Sequence, residues 1–576
     1  MQFHSFKIGL FTALLSGLGQ AGVSAAAVDN AGKDDSHSLN APFYLNQNWN
    51  DEERRSFYFT PQGSYLLPYE WFLALEQPDN DELFINPKYI EQFGYLVDDE
   101  PYTPSNPDGL PIGFAKEPVD NGEDWVGMTC AACHTGEIRY RGQTIRIDGA
   151  PTLGDFTTLL KNLIQALRVT QEQPEKFDRF AQAVLTDPTD ADKAALQARV
   201  SDRLVWLEQY DARSTPTHPY GYGRVDAFGI IMNEVFGHDL QQPDNVRVPD
   251  APVSYPFLWT SPKLDWVQWF GSANNPFGRN VGEVLGVFGH VNLTGSLAEL
   301  GKSTARPREL FELEKRIGSL TSPKWPVLAL GPIDSEKAAR GRVLYSTSRG
   351  GEPSCEACHS LPDANGLYPM TPADENLFGV SFIETQMTPL DEIGTDPATS
   401  LNFATRKANT GSLAPLLPAP FTGATELPAP VLLSTLVGMA VSNGIADAYP
   451  PFSPAEKAEL IGYRLKAQGL PPYKPKNLLA YRARPLDGIW ATAPYLHNGS
   501  VPNLYQLLLP PGERRQIFYV GSHEFDPQAV GFRSKPGQRA FKFDASLPGN
   551  LNTGHYYGTE LTDDERWDLI EFLKTL

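Results

Sequence analysis

Cys130-Ala131-Ala132-Cys133-His134 and Cys355-Glu356-Ala357-Cys358-His359 decide how this chain is read. Each is a C-x-x-C-H stretch, the attachment signature of a c-type haem. The cysteines supply thioether bonds to the haem, and the histidine that follows, His134 or His359, supplies a proximal ligand to its iron. A thiol redox motif and a zinc site split over two knuckles share the C-x-x-C spacing. Neither requires a histidine directly after the second cysteine. The chain has 4 cysteines, and all of them fall in these motifs. The expected cofactors are therefore two covalently bound haem c groups with their iron.

The N-terminus agrees with that chemistry. Lys7 precedes an apolar run over 8–23, followed by Ser24-Ala25-Ala26-Ala27. This is the order of a signal peptide ending in an A-x-A-like cleavage site. Residues 1–27 are therefore expected to be removed, and the mature chain to be periplasmic or secreted. Ser16, Gly17, Gly19 and Gln20 interrupt the run, which is short for a span of roughly 20 residues. No later stretch reads as a membrane span. A formal charge of −21, with 69 acidic against 48 basic residues, argues against nucleic acid or an anionic membrane surface as partner. Residues 28–42 are polar and expected to be disordered.

The expected fold class is mainly α: two cytochrome c-like haem domains with large loop-rich insertions and a few short β-hairpins. The first haem domain is read over 28–325 and the second over 326–576. Behind the first motif, residues 137–147 alternate apolar and polar around a glycine turn, which predicts a hairpin. Periodicity predicts helices over 51–58, 158–169, 174–185 and 190–208. His134 and His359 are separated by far more chain than a minimal cytochrome c fold of roughly 80–100 residues needs. The first domain thus carries a large addition, either an enlarged core or the lining of a cavity for a bulky apolar substrate. Residues 324–333 read as a linker. Asp334 then opens a helix over 335–347 that runs into the second motif. Thr562 and Glu565 form a capping box for a last helix over 562–576, with Trp567, Ile570, Leu573 and Leu576 on one face.

Each iron also needs a decision at its sixth position. For the second haem, His555 stands in the Gly- and Asn-rich loop before the last helix, where a small cytochrome c takes its distal ligand. His497 is the competitor, and a packed, merely hydrogen-bonded histidine remains open for either. For the first haem no residue is equally placed. His218, His238 and His290 are available, none in a distinctive setting.

The stretch from Tyr481 to Leu504, YRARPLDGIWATAPYLHNGSVPNL, resembles the dihaem cytochrome c peroxidase and MauG superfamily. The likeness is nearer to its rubber-oxygenase (RoxA-like) branch, which includes bacterial fatty-acid dioxygenases. Further matching stretches are Gln62-Gly-Ser-Tyr-Leu-Leu-Pro-Tyr-Glu-Trp-Phe, Arg146-Ile-Asp-Gly-Ala-Pro, Pro256-Phe-Leu-Trp259 and the loop from Gly549 to His555. The resemblance implies an N-terminal haem open to dioxygen or peroxide, with His134 proximal. It implies a C-terminal haem with two histidine ligands, His359 and one more. It also implies a tryptophan between the haems, which Trp259 matches best, and a phenylalanine over the oxygen site, for which Phe257, Phe270 and Phe277 are candidates. Leu496 departs from the dihaem peroxidases, which have methionine there, and from MauG, which has a tyrosine ligand. That favours the oxygenase branch.

Two functions follow as expectations. One is a dioxygenase adding O2 to an unsaturated apolar substrate, polyisoprene or a fatty acid, at the first haem. The other is a peroxidase fed by a small electron-transfer protein. A pure electron carrier has no need of an addition this large.

Overall fold

Helix boundaries in this protein follow their caps. Asn50 and Glu53 satisfy each other's backbone N–H at the start of the helix Asp51–Phe59, and Thr562 and Glu565 do the same for Asp563–Leu573. Each reciprocal pair removes two of the orphan donors that every helix start carries. In the computed structural model, residues 41–576 are described, apart from 120–121, 275, 376–378, 463–478 and 538. The expected signal peptide and the polar stretch up to residue 40 lie outside the described residues.

Helix (41%) outweighs strand (14%), and the strands form short two- and three-stranded sheets. The expected hairpin is present as Thr135–Tyr140 paired antiparallel with Gln143–Asp148. The helices Phe156–Glu172, Pro174–Val184 and Asp190–Ser214 follow. Their inner residues, such as Leu163, Phe180 and Leu207, bury against Trp71 and Phe114 in one hydrophobic cluster. A second cluster joins Ile231, Phe270 and Val281 to Leu432 and Leu436. The largest joins Phe57, Ile145 and Trp259 to Tyr345, Trp490 and Ile570. Each fully buried Leu, Ile or Phe here contributes roughly 1.5–3 kcal/mol.

From Pro42 to Leu576 the chain is one compact unit. The last two of these clusters, around Phe270 and around Trp259, draw on residues before and after 325. The stretch read as a linker is anchored at Trp325 and Leu330, which are buried, although Val327 and Leu328 are exposed. The Trp325 ring meets that of Trp490 edge-on at 5.3 Å. Its sequence has the prolines of a linker but also a large ring that must leave water.

The helices Ser335–Ser346 and Asp563–Leu573 cross at close range. Gly341 makes this possible, because a Cβ there would lie 2.0 Å from the Asp568 carbonyl oxygen. Arg340 clamps the Asp568 carboxylate with two bonds of 2.7 Å. Tyr345 packs on Phe572 at 5.2 Å. Of the face expected on the last helix, Ile570 and Leu573 are buried, joined by Leu569 and Phe572. Trp567 and Leu576 pack only at the edge of the core.

One expectation is corrected. The helix Ala429–Asp447 is long and apolar enough, by length and composition, to cross a membrane. Its Leu432, Leu433, Leu436, Ala440 and Ile445 are spent on the core.

Candidate functional site

Both motifs are short helices that end on their histidine. In Cys130–Cys133, Thr129 caps the first turn and its hydroxyl donates to the Tyr58 carbonyl at 3.1 Å. The His134 N–H closes the turn on the Cys130 carbonyl at 2.9 Å. The Arg146-Ile-Asp-Gly-Ala-Pro stretch backs this turn. Gly149 N–H donates to the His134 carbonyl at 3.0 Å, and Thr152 N–H donates to the Cys133 carbonyl at 3.0 Å. Gly149 needs its glycine, with φ at 75° and Leu320 Cδ2 2.6 Å from any added Cβ. The Gln62-Gly-Ser stretch lies alongside. Its three backbone N–H groups converge on one oxygen of Glu117, and Gln62 Oε1 is 3.3 Å from the Cys130 sulfur.

Cys355–Cys358 is built the same way, with the His359 N–H on the Cys355 carbonyl at 2.7 Å. The His359 carbonyl accepts from the Tyr345 hydroxyl at 2.5 Å. His359 Nδ1 lies 2.7 Å from the Arg484 carbonyl. That bond occupies Nδ1 and leaves Nε2 as the ring nitrogen that serves as a ligand.

A cavity adjoins each motif. The first holds about 1500 Å³ of empty space, its open mouth included, and is lined by Cys130, Cys133 and His134. Its far walls come from the addition between the motifs, with Phe228, Ile231, Phe270 and Val284 among them. The second holds about 1450 Å³, counted the same way, and is lined by Cys355, Cys358, His359, His497 and His555. Ser254, Tyr255, Pro256, Trp269, Arg482 and Arg484 line both cavities. The two spaces therefore share a wall.

Burial dictates the charge states. It pushes the Cys130 and Cys133 thiols up to about 12 and Cys355 up to about 11. Such thiols are poor nucleophiles at neutral pH, which argues against thiol redox catalysis. Burial lowers His134 to about 4 and His555 to about 3, and it lowers His359 as well. All three imidazoles are neutral at pH 7 and so available as ligands. The Pro256 carbonyl acts on His134, although His134 Nδ1 makes no hydrogen bond of good geometry. Two thiols, an adjacent neutral imidazole and a cavity beside them are the donor set that haem c requires. The residues fit the group.

His555 and His497 both reach the second cavity, but their settings differ. His555 sits at φ 49°, its N–H held by the Ile393 carbonyl at 2.8 Å, and His359 is close enough to act on its charge. Arg514, itself buried, donates to the carbonyls of Asn552, Gly554 and His555 and also to those of Leu507 and Leu509. One guanidinium thus fixes the loop. His497 instead stacks on Tyr481 with ring centroids 4.1 Å apart, and its carbonyl accepts from Ser254 N–H at 2.8 Å.

The remaining sequence candidates are placed as follows. Trp259 is fully buried, but it lines neither cavity. Its indole donates to the Asp487 carbonyl at 2.6 Å and stacks on Phe257, which does line the second cavity. The tryptophan on the shared wall is Trp269, whose indole donates to the Ser254 carbonyl at 2.9 Å. Of the phenylalanines, Phe270 lines the first cavity and Phe277 lines neither. None of His218, His238 and His290 lines the first cavity. Sequence reasoning missed Arg484, Arg514 and Glu283, and it preferred Trp259 to Trp269. Glu283 lines the first cavity, accepts from Gln268 at 2.8 Å, and has its pKa raised by burial.

Comparison with known proteins defines the class first. Residues 480–519 match the family described as RoxA-like, cytochrome c-like. In the structure this segment wraps the second cavity, from Tyr481 through Arg484 and His497 to Leu508. Over this segment the chain is similar to RoxA-like, cytochrome c-like proteins, a likeness that implies haem c and suggests a haem-dependent oxidoreductase. The chain is also 35% identical over 584 residues to the uncharacterized protein y4iJ of Sinorhizobium fredii, covering 92% of this chain and 93% of that protein. It belongs to the family of that protein. A second uncharacterized protein of the same organism, y4iM, is 36% identical over 118 residues, covering 16% of this chain and 27% of its own length.

Proposed function

We propose that this protein is an exported dihaem c-type oxidoreductase of the dihaem peroxidase and MauG superfamily, a dioxygenase acting on an unsaturated apolar substrate at the first haem. The observation that carries the reading is the pair of cavities, each beside its own C-x-x-C-H motif, with a common wall. Cys130, Cys133 and His134 would hold one haem, and Cys355, Cys358, His359 and His555 the other. Bound haem with an open iron position supplies oxygen or peroxide chemistry, whereas two strong axial ligands favour electron transfer.

The chain's own residues divide the work accordingly. Around the first cavity, Phe228, Ile231, Phe270 and Val284 present apolar surface. They exclude water and align a long apolar chain beside His134. Around the second, Arg484 orients His359 through its carbonyl, and Arg514 fixes the loop that presents His555. Trp269 and Arg484 stand between the two spaces, and Trp269 takes over from Trp259 as the residue to couple them. In the alternative, peroxidase reading, Glu283 is the favouring observation. Its carboxyl, pushed up by burial, accepts from Gln268 and faces Arg279 at 3.8 Å on the wall of the first cavity, where it is placed to move a proton during peroxide cleavage.

The test is oxygen uptake by the purified protein with polyisoprene or unsaturated fatty acids and no electron donor, with product masses. Uptake with two oxygen atoms per cleaved or oxygenated double bond is expected. Peroxide reduction that depends on a reduced small electron carrier, without such uptake, would establish the peroxidase instead.

A further inference from the structure

We propose that His238, Asp239 and His290 bind a divalent transition-metal ion of the Zn2+ type, at a site separate from both haem cavities. Each residue offers one ligand atom, and these atoms lie within 4.8 Å of one another. Two imidazole nitrogens and one carboxylate oxygen are a donor set that zinc and its first-row neighbours accept, with further positions left to water.

The carboxylate is prepared for this role. Asp239 is only 2% exposed, and a buried carboxylate is costly unless partnered. Its Oδ2 accepts from Val291 N–H at 3.0 Å, and its Oδ1 lies 2.5 Å from His290 Nδ1. One oxygen is thus anchored to backbone while the other faces the imidazoles, the second-shell arrangement that orients a metal ligand.

A plain Asp–His pair would account for His290, but not for His238. The two imidazole rings stand 6.4 Å apart by centroid. Trp206 packs edge-on against His238 at 6.1 Å and fixes its ring. The backbone also marks the place. Asn233–Asp239 is wound as a π-helix, with Leu240 N–H bonded to the Val235 carbonyl at 3.1 Å, and such windings concentrate at functional sites. On the other side, His290 N–H and carbonyl are both held by Thr304. The His290 side chain is 54% exposed, which gives an ion access.

The position has a consequence for the first cavity. Phe228 and Ile231, just ahead of the π-helix, line that cavity, as does Val284 in the helix shortly before His290. The ion would tie together the outer ends of two cavity walls.

The experiment uses untagged holoprotein, treated with chelator and titrated with ZnCl2 by calorimetry, with metal analysis after gel filtration. One Zn2+ per chain beyond the haem iron is expected. His290→Ala and His238→Ala should each weaken it by about tenfold or more, while His218→Ala, at an exposed histidine elsewhere, leaves it unchanged. Zn2+ should raise the Tm of the wild type but not of His290→Ala. His290→Ala removes a partner of the buried Asp239 carboxylate. Far-ultraviolet circular dichroism and the Soret band of each variant therefore check that fold and haems are retained, and His238→Ala, which leaves that pair intact, tests the site independently. No saturable binding, affinity unchanged in both ligand variants, or affinity lost in His218→Ala would overturn the site. None of these outcomes depends on which reaction the haems support.

Discussion

At the scale of single residues, the contrast between His555 and His497 is one of attachment. His555 is presented by a loop that Arg514 pins through three consecutive-region carbonyls, whereas His497 is held by stacking on Tyr481. His555→Ala is expected to convert the haem at the second motif from low-spin to high-spin in its absorption and EPR spectra, with His497→Ala leaving it low-spin. The reverse pattern would move the ligand to His497. For the coupling residue, Trp269→Phe should slow electron exchange between the haems and lower turnover, while Trp259→Phe should affect stability more than either. Equal turnover and redox coupling in Trp269→Phe and wild type would remove it from that role. The resemblance pointed to Trp259, and nothing in the sequence weighed it against Trp269. They lie in an aperiodic stretch, and the choice rests on Trp269's partners, Ser254 and the chain at Arg482, the latter more than two hundred positions away. The two C-x-x-C-H stretches stand out in the sequence because haem attachment would demand that adjacency. The Arg484 carbonyl that orients His359 does not, since every residue has a carbonyl.

At the scale of elements, helix starts were legible at Asp334 and Thr562, where the cap was read directly, whereas the helix expected from 158 begins at Phe156 under the Asp155 cap. The role of Gly341 was not legible, because the reason for it lies on another helix. Gly→Ala in a helix interior gains up to about 1 kcal/mol of propensity. At Gly341 that gain meets a carbonyl oxygen 2.0 Å from the new methyl carbon, and overpacking of this kind costs typically 1–3 kcal/mol. Gly341→Ala is therefore expected to lower the Tm. At Gly438, in the helix Ala429–Asp447, nothing lies within 4 Å of a new Cβ, so Gly438→Ala should raise it. Opposite signs in thermal melts of these two variants are the check. Equal signs would mean that the helix crossing at Gly341 is looser than described.

At the scale of the whole molecule, the hydrophobic clusters that span both halves predict one cooperative unfolding transition by calorimetry rather than two. Two well-separated transitions would show that the halves are energetically independent. The proposed cofactor count has its own measurement. The mass of the denatured protein should exceed that of the polypeptide by two haems, with no thiol left to alkylate. Four reactive thiols would end the haem reading. The wall that the cavities share, formed by residues 254–256 and by Arg482 and Arg484, also bears on biogenesis. If both proposed haems are present, thioether bonds would have to reach Cys130 and Cys133 on one side and Cys355 and Cys358 on the other before this wall closes. A chain loaded on one side only would leave the partition facing an empty space, with Trp269 and Arg484 supported from one direction. Maturation of the proposed dihaem protein is thus expected to be all-or-none, so that incomplete haem supply yields fully loaded and degraded chains rather than a stable half-loaded form.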